Sequence, residues 1–135
     1  MGREVIHKDD NLLLEYVEKG NYLHETWWGL TPSPIFLKLL DIIINALEKK
    51  KADGLILDAR EHLGLREKDQ EEAAKRHEKY AKEHGILKQA IIVPRDFFSE
   101  HSVKNYATKF DGSNYNEIRY FQDVTSAEKW LQNKS

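Results

Sequence analysis

The stretch Gly54-Leu55-Ile56-Leu57-Asp58-Ala59-Arg60 decides the fold. Three consecutive large apolar residues end abruptly in Asp-Ala-Arg. Such a run suits a strand buried on both faces, as in the middle of a parallel sheet. Asp58 and Arg60 then fall at the carboxyl end of that strand, where open α/β sheets keep their binding chemistry.

Just before this strand, Ile35 to Lys51 predicts a helix. Lys38, Asp41, Asn45 and Glu48 recur at three- and four-residue steps and make one polar stripe, while the rest is Ile, Phe and Leu. A helix of that pattern is buried over much of its circumference. Lys49-Lys50-Lys51 at its end is explained by the helix dipole, which favours cations there. The segment Thr31-Pro32-Ser33-Pro34 ends the preceding strand, with Pro34 in the first helical turn and Ser33 as its cap. Further upstream, Leu12–Glu18 and Tyr22–Trp28 flank Lys19-Gly20-Asn21 and read as a hairpin. Glu4–His7 is a short strand before it, separated by the turn cluster Asp9-Asp10-Asn11.

On the other side, Glu61–Arg66 reads as a loop and Glu67–His84 as a second helix. Its apolar stripe is thin, comprising Ala73, Ala74, His77, Tyr80 and Ala81. Such a helix lies on the outside and touches the sheet lightly, and Gly85 stops it. Gln89–Val93 is another buried strand, closed by Pro94. Asp96 or Ser99 would cap a short helix running through Val103, Tyr106 and Phe110. After the loop Asp111–Asn114, Ile118–Phe121 is the last strand and Thr125–Asn133 the closing helix. The expected architecture is therefore α/β: a mixed, mostly parallel sheet with an N-terminal antiparallel hairpin or meander and about four helices.

The chain's 135 residues suit one domain, 1–135, with a real core. A formal net charge of −2 gives nothing that attracts a polyanion, so nucleic-acid binding is disfavoured. The absence of cysteine excludes disulfides, thiolate catalysis and cysteine metal sites. Residues 1–10 contain no apolar core of a signal peptide, and Leu39–Leu47 is too short and too polar to span a bilayer. A cytoplasmic location is the resulting expectation.

Four stretches carry a resemblance: Glu25-Thr26-Trp27-Trp28-Gly29, Gly54 to Arg60, Ala90-Ile91-Ile92-Val93-Pro94, and Phe121 through Ala127-Glu128-Lys129-Trp130-Leu131. Together they resemble the STAS/SEC14-like superfamily, in particular the small stand-alone bacterial proteins related to the sporulation anti-sigma factor antagonist. The resemblance covers nearly the whole chain and implies a STAS-like fold. Its motifs are core positions, which specify fold better than function. Antagonists of that family carry a phosphorylatable serine just after the central strand. Here Asp58–Leu65 contains no Ser or Thr, so the phosphorylation switch does not carry over.

Candidate chemistry centres on Asp58, Arg60, Glu61 and His62, the densest polar cluster at the end of the central strand. Read as an active site, Asp58 or His62 is the base and Arg60 an anion clamp. Read as structure, Asp58 accepts hydrogen bonds from nearby amides and Arg60 pairs with a carboxylate. No nucleophile or oxyanion motif accompanies the cluster, and catalytic residues are not assigned. Arg95 should lie at the same edge after the next strand. Trp27 and Trp28 are consecutive on a strand, so their rings point to opposite faces. The outward ring awaits cover by a helix, a partner or an apolar ligand, and Phe97 and Phe98 pose the same question.

The histidines His7, His24, His62, His77, His84 and His101 include no pair at three- or four-residue helical spacing. His77 and His84 share a face about 10 Å apart, too far for one metal. No metal or cofactor is expected. Phosphate-loop, Gly-x-Ser-x-Gly, His-Glu-x-x-His and calcium-loop motifs are absent from the sequence.

Three readings follow. The first is a non-catalytic interaction or regulatory domain that binds a protein partner or pairs with itself as a homodimer. The second is a binder of a small apolar, lipid-like or anionic ligand between Trp28, Phe97, Phe98, Arg60 and Arg95, the lipid being what the SEC14-like side of the resemblance implies. The third is an enzyme using Asp58, Arg60 and His62.

Overall fold

The computed structural model describes residues 2–62, 66–93 and 116–133. Six strands form one sheet: β1 (Arg3–Lys8), β2 (Leu12–Val17), β3 (Tyr22–Gly29), β4 (Gly54–His62), β5 (Leu87–Ile92) and β6 (Asn116–Phe121). Three helices accompany them among the described residues: α1 (Ser33–Lys50), α2 (Glu67–His84) and α3 (Val124–Gln132). The expected short helix between Asp96 and Phe110 lies outside the described residues.

Spatial order equals chain order, β1-β2-β3-β4-β5-β6. The first three strands form an antiparallel meander. From β3 onward every pairing is parallel. The β2–β3 hairpin turns at Glu18–Asn21, where Gly20 (φ 97°) and Asn21 (φ 54°) take the left-handed backbone, as such turns require. The Asn21 side chain then ties the turn to the far end of α1 through the Lys51 carbonyl and to Asp53.

The sheet separates two cores. On one face α1 and α2 cover Leu12, Leu14, Leu23, Trp27, Leu55, Ala59 and Ile91. On the other, α3 packs through Ala127 and Leu131 on Val17, Tyr22, Ile56, Ala90 and Ile92. The periodicities above account for both helices of the first layer. Lys38, Asp41, Asn45 and Glu48 all lie away from the buried face of α1, while Phe36, Leu39, Leu40, Ile43, Ala46 and Leu47 are buried. On α2 the thin stripe is buried, joined by Asp69 and Gln70. Gly54 opens the central strand because α3 leaves no room for a side chain. A Cβ there would lie 2.9 Å from Leu131 Cδ2 and 3.3 Å from Tyr22 Cβ.

Two local expectations change. Pro32, not Ser33, caps α1, and no side-chain cap bond forms. Ser33 is the first helical residue, and its hydroxyl instead donates to Asp69 Oδ2 on α2 at 2.7 Å. The central strand also runs further than its apolar stretch, through Arg60–His62. No helix among the described residues is long and apolar enough to cross a membrane.

Candidate functional site

The carboxyl ends of β3 and β4 are where the polar cluster was expected, and one extra residue reshapes it. Thr26 pairs with Asp58, but Trp28 pairs with Glu61, so β4 bulges by one residue around Ala59 and Arg60. A bulge of this kind re-aims the side chains that follow it. Asp58 and Arg60 share the α3 face with Ile56. Beyond the bulge, His62 faces the other way, its ring 5.5 Å from that of Trp27 in the α1/α2 core. Asp58 and Arg60 are thus brought together, and His62 is not.

Asp58 is only 6% exposed. It accepts from Arg60 Nε at 3.0 Å and Nη2 at 2.8 Å, and from the Arg60 amide at 3.2 Å. The guanidinium engages both carboxylate oxygens, a bidentate arrangement that leaves little of either group for a substrate. The fork also holds the arginine proton more firmly than usual, chiefly through the Asp58 hydrogen bond. This pairing makes an asymmetric prediction. Arg60→Ala leaves a buried carboxylate with a single backbone donor and is expected to cost about 1–3 kcal/mol. Asp58→Asn leaves an exposed arginine and is expected to cost less. Urea unfolding of both variants tests this, and equal costs would refute it.

Beside this pair, on the same face, His24 is 6% exposed. Its Nδ1 lies 3.3 Å from Arg3 Nη1, and its Nε2 has no hydrogen-bond partner among the described residues. Burial, then the charge of Arg3, pushes its pKa down. Arg3 bridges Glu15 on β2 and Glu128 on α3 at 3.0 and 2.6 Å, so α3 is pinned across to the edge strand.

Toward α1 and α2, the strand positions of β3 are Leu23, Glu25 and Trp27. Glu25 is 3% exposed. Its Oε1 accepts from the Trp27 indole N–H at 2.8 Å, and its Oε2 has no partner among the described residues. Burial raises its pKa from 4.5 to about 7. Burial likewise lowers that of His62 from 6.5 to about 4. Glu25 is a functional candidate that motif and cluster searching passes over. The signal is there nonetheless: if Trp27 faces the core, alternation places Glu25 there too.

Trp27 and Trp28 split as expected. Trp27 is 3% exposed and packs on the Phe36 ring at 5.7 Å. Trp28 faces outward at 36% exposure, and Leu30 at 67% and Ile35 at 42% follow it in the chain through the β3–α1 junction. Arg95, Phe97 and Phe98 lie outside the described residues. Five of the histidines have separate surroundings: His7 meets Asp9 and His84 meets Asp53, while His77 donates from Nδ1 to the Ala73 carbonyl. Among the described residues, no group of three or more His, Asp or Glu suits a metal ion. A surface groove of about 290 Å³ between α1 and α2 is lined by Glu48, Glu72, Lys75, Arg76 and Lys79 over Ile44 and Tyr80. It lies apart from this cluster.

No family model matches the sequence, and no curated protein does. A solved structure does match. It is described as an uncharacterized protein from the DUF3478 family, with a SpoIIAA-like fold, from Shewanella loihica PV-4. The likeness has a TM-score of 0.54 at 21% identity and covers 96% of this chain and 91% of that one. Identity that low speaks for fold alone.

Proposed function

This chain has a SpoIIAA-like α/β fold, and from that premise we propose that it is a non-catalytic, cytoplasmic interaction domain. It docks a protein partner through the β3–α1 junction, where Trp28, Leu30 and Ile35 insert into an apolar surface of that partner. The observation that carries this reading is their joint exposure within eight residues of chain. Among the described residues, the other exposed large apolar side chains, Val5, Ile86 and Tyr120, are scattered over three other elements and connections. Large apolar side chains grouped on a surface mark interaction sites, and tryptophan is over-represented among the residues that dominate binding.

The other readings have less support. For catalysis, the bulge separates His62 from Asp58 and Arg60. For a small anionic or apolar ligand, the Arg60 fork is occupied by Asp58. Self-pairing through the sheet edge is also disfavoured. β1 is interrupted by a bulge between Val5 and His7 and carries Arg3, Glu4 and Lys8, devices that blunt an edge.

The test is quantitative capture from the host cell with wild type and a Trp28→Ser/Leu30→Ser variant. A partner held at least tenfold more weakly by the variant, at unchanged thermal stability, is the expected result. Equal capture by both, or a concentration-dependent dimer that the variant does not dissociate, would refute the proposal.

A further inference from the structure

Glu25 is a carboxyl in the wrong place for a surface residue. It sits on an interior strand, between Leu14 of β2 and Leu57 of β4 in register. Its side chain faces the layer formed by α1 and α2. Ion pairs elsewhere in the molecule join carboxylates to Arg, Lys or His, yet among the described residues none reaches Glu25. Among the described residues its one hydrogen bond is from the Trp27 indole, and its second oxygen is buried with no partner there. A lone buried carboxylate is costly, and such groups neutralise by taking up a proton.

The ionisable groups on the elements packed around it are few. β4 brings His62 to the other side of the Trp27 ring. α2 brings Asp69, which accepts from Ser33, His77, which is bonded to the Ala73 carbonyl, and Tyr80, which donates to the Ala52 carbonyl, while β2 brings Tyr16, which donates to Asn21. The buried residues of α1 are all apolar. Burial keeps both histidines neutral down to about pH 4, so neither supplies a cation near neutrality.

We propose that Glu25 is a proton-operated latch: neutral, it lets the end of β3 pack against α1, and ionised, it loosens that packing. The loosened segment runs directly into Trp28, Leu30 and Ile35, so the latch sets how the docking surface is presented. That consequence rests on the docking reading, but the latch itself does not.

The sign follows from the direction of the shift. Folding raises the carboxyl's pKa from 4.5 to about 7. Its stabilising contribution is therefore complete below pH 4.5, declines as pH rises, and is gone above about 7. The full change corresponds to roughly 300-fold in the folding equilibrium constant.

Urea unfolding of wild type and Glu25→Gln at pH values from 5 to 8.5 tests the latch without any partner. Glutamine keeps an acceptor for the indole and cannot ionise. Glu25→Gln is expected to gain on wild type as pH rises from 5 to above 7, by roughly 75-fold of the full 300-fold change, with the shared histidines cancelling in the comparison. Hydrogen exchange at the end of β3 and in the first turn of α1 should quicken with pH more steeply in wild type than in Glu25→Gln. Parallel stability curves would overturn the proposal. Should Glu25→Gln fold poorly, a carbon-13 titration of the Glu25 carboxyl in wild type decides: a midpoint near 7 supports the latch, and one near 4.5 removes it. Loss of docking with an intact latch would refute only the function proposed above.

Discussion

Trp27→Ala is expected to destabilise the fold by about 3–5 kcal/mol from lost packing alone. The ring is 3% exposed and packs between Phe36 and His62. Its removal also takes away the sole hydrogen bond of Glu25 among the described residues. Leaving that buried acceptor unmet adds about 1–3 kcal/mol. Domains of this size are stable by about 5–15 kcal/mol in total, so Trp27→Ala should remove a large share of the protein's stability. Trp27→Phe separates the two contributions, because it keeps an aromatic ring and drops the indole donor. The adjacent Trp28→Ala is the control. It removes a partly exposed ring that belongs to neither core and is expected to cost far less, about 1 kcal/mol. Urea denaturation followed by circular dichroism measures all three. Similar losses for the two tryptophans would mean that the strand's facing is misassigned.

Acidification should unfold the protein through His77. That residue is 3% exposed on the inner side of α2, and burial pushes its pKa down from 6.5 to about 4. The unfolded chain therefore takes up the proton first. Stability from this residue is complete above pH 6.5 and is lost as pH falls toward 4, by about 3 kcal/mol in all. His62 acts in the same sense, for the same reason. Glu25 acts in the opposite sense, so the measurement is cleanest in the Glu25→Gln background. There, His77→Leu should roughly halve the acid limb of the stability profile, His62 keeping its own share. It should also lose about 1 kcal/mol at neutral pH, with the bond to Ala73. An unchanged acid limb would assign the transition to other groups.

Trp27 and His77 also show how far the sequence can be read. The apolar run Leu55–Leu57, the polar stripe of α1 and the Gly20-Asn21 turn are local patterns, each set by a few neighbouring residues. They are legible, and with them the order of elements and the mixed sheet. The resemblance to a SpoIIAA-type fold rests on the same core positions and is met at the level of fold. The site is less legible because its shape depends on one unpaired residue. Alternation through Asp58, Arg60 and His62 places three polar groups on one face. The bulge opposite Trp27 breaks that alternation, and nothing in Ala59-Arg60 announces it. Register is a property of two strands, and the sequence of one does not contain it. Glu25 is hidden differently: a charged residue on a strand reads as surface unless its neighbours are allowed to place it.

The sheet order has a consequence for how the protein forms. Each strand lies beside the strand that precedes it in the chain, so none has to wait for a distant partner. The loops closed in building β1 to β5 span at most one helix, and loop closure grows costly only with length. Contacts of short sequence separation favour rapid folding. A chain emerging from the ribosome can therefore lay down β1, β2 and β3, add α1 and β4, and continue outward, each piece docking on an edge already in place. Until α3 arrives, Tyr22, Ile56, Ala90 and Ile92 on its face of the growing sheet lack the Ala127 and Leu131 that later seal them. Truncation that removes α3 should therefore be far more damaging than its small share of the chain implies.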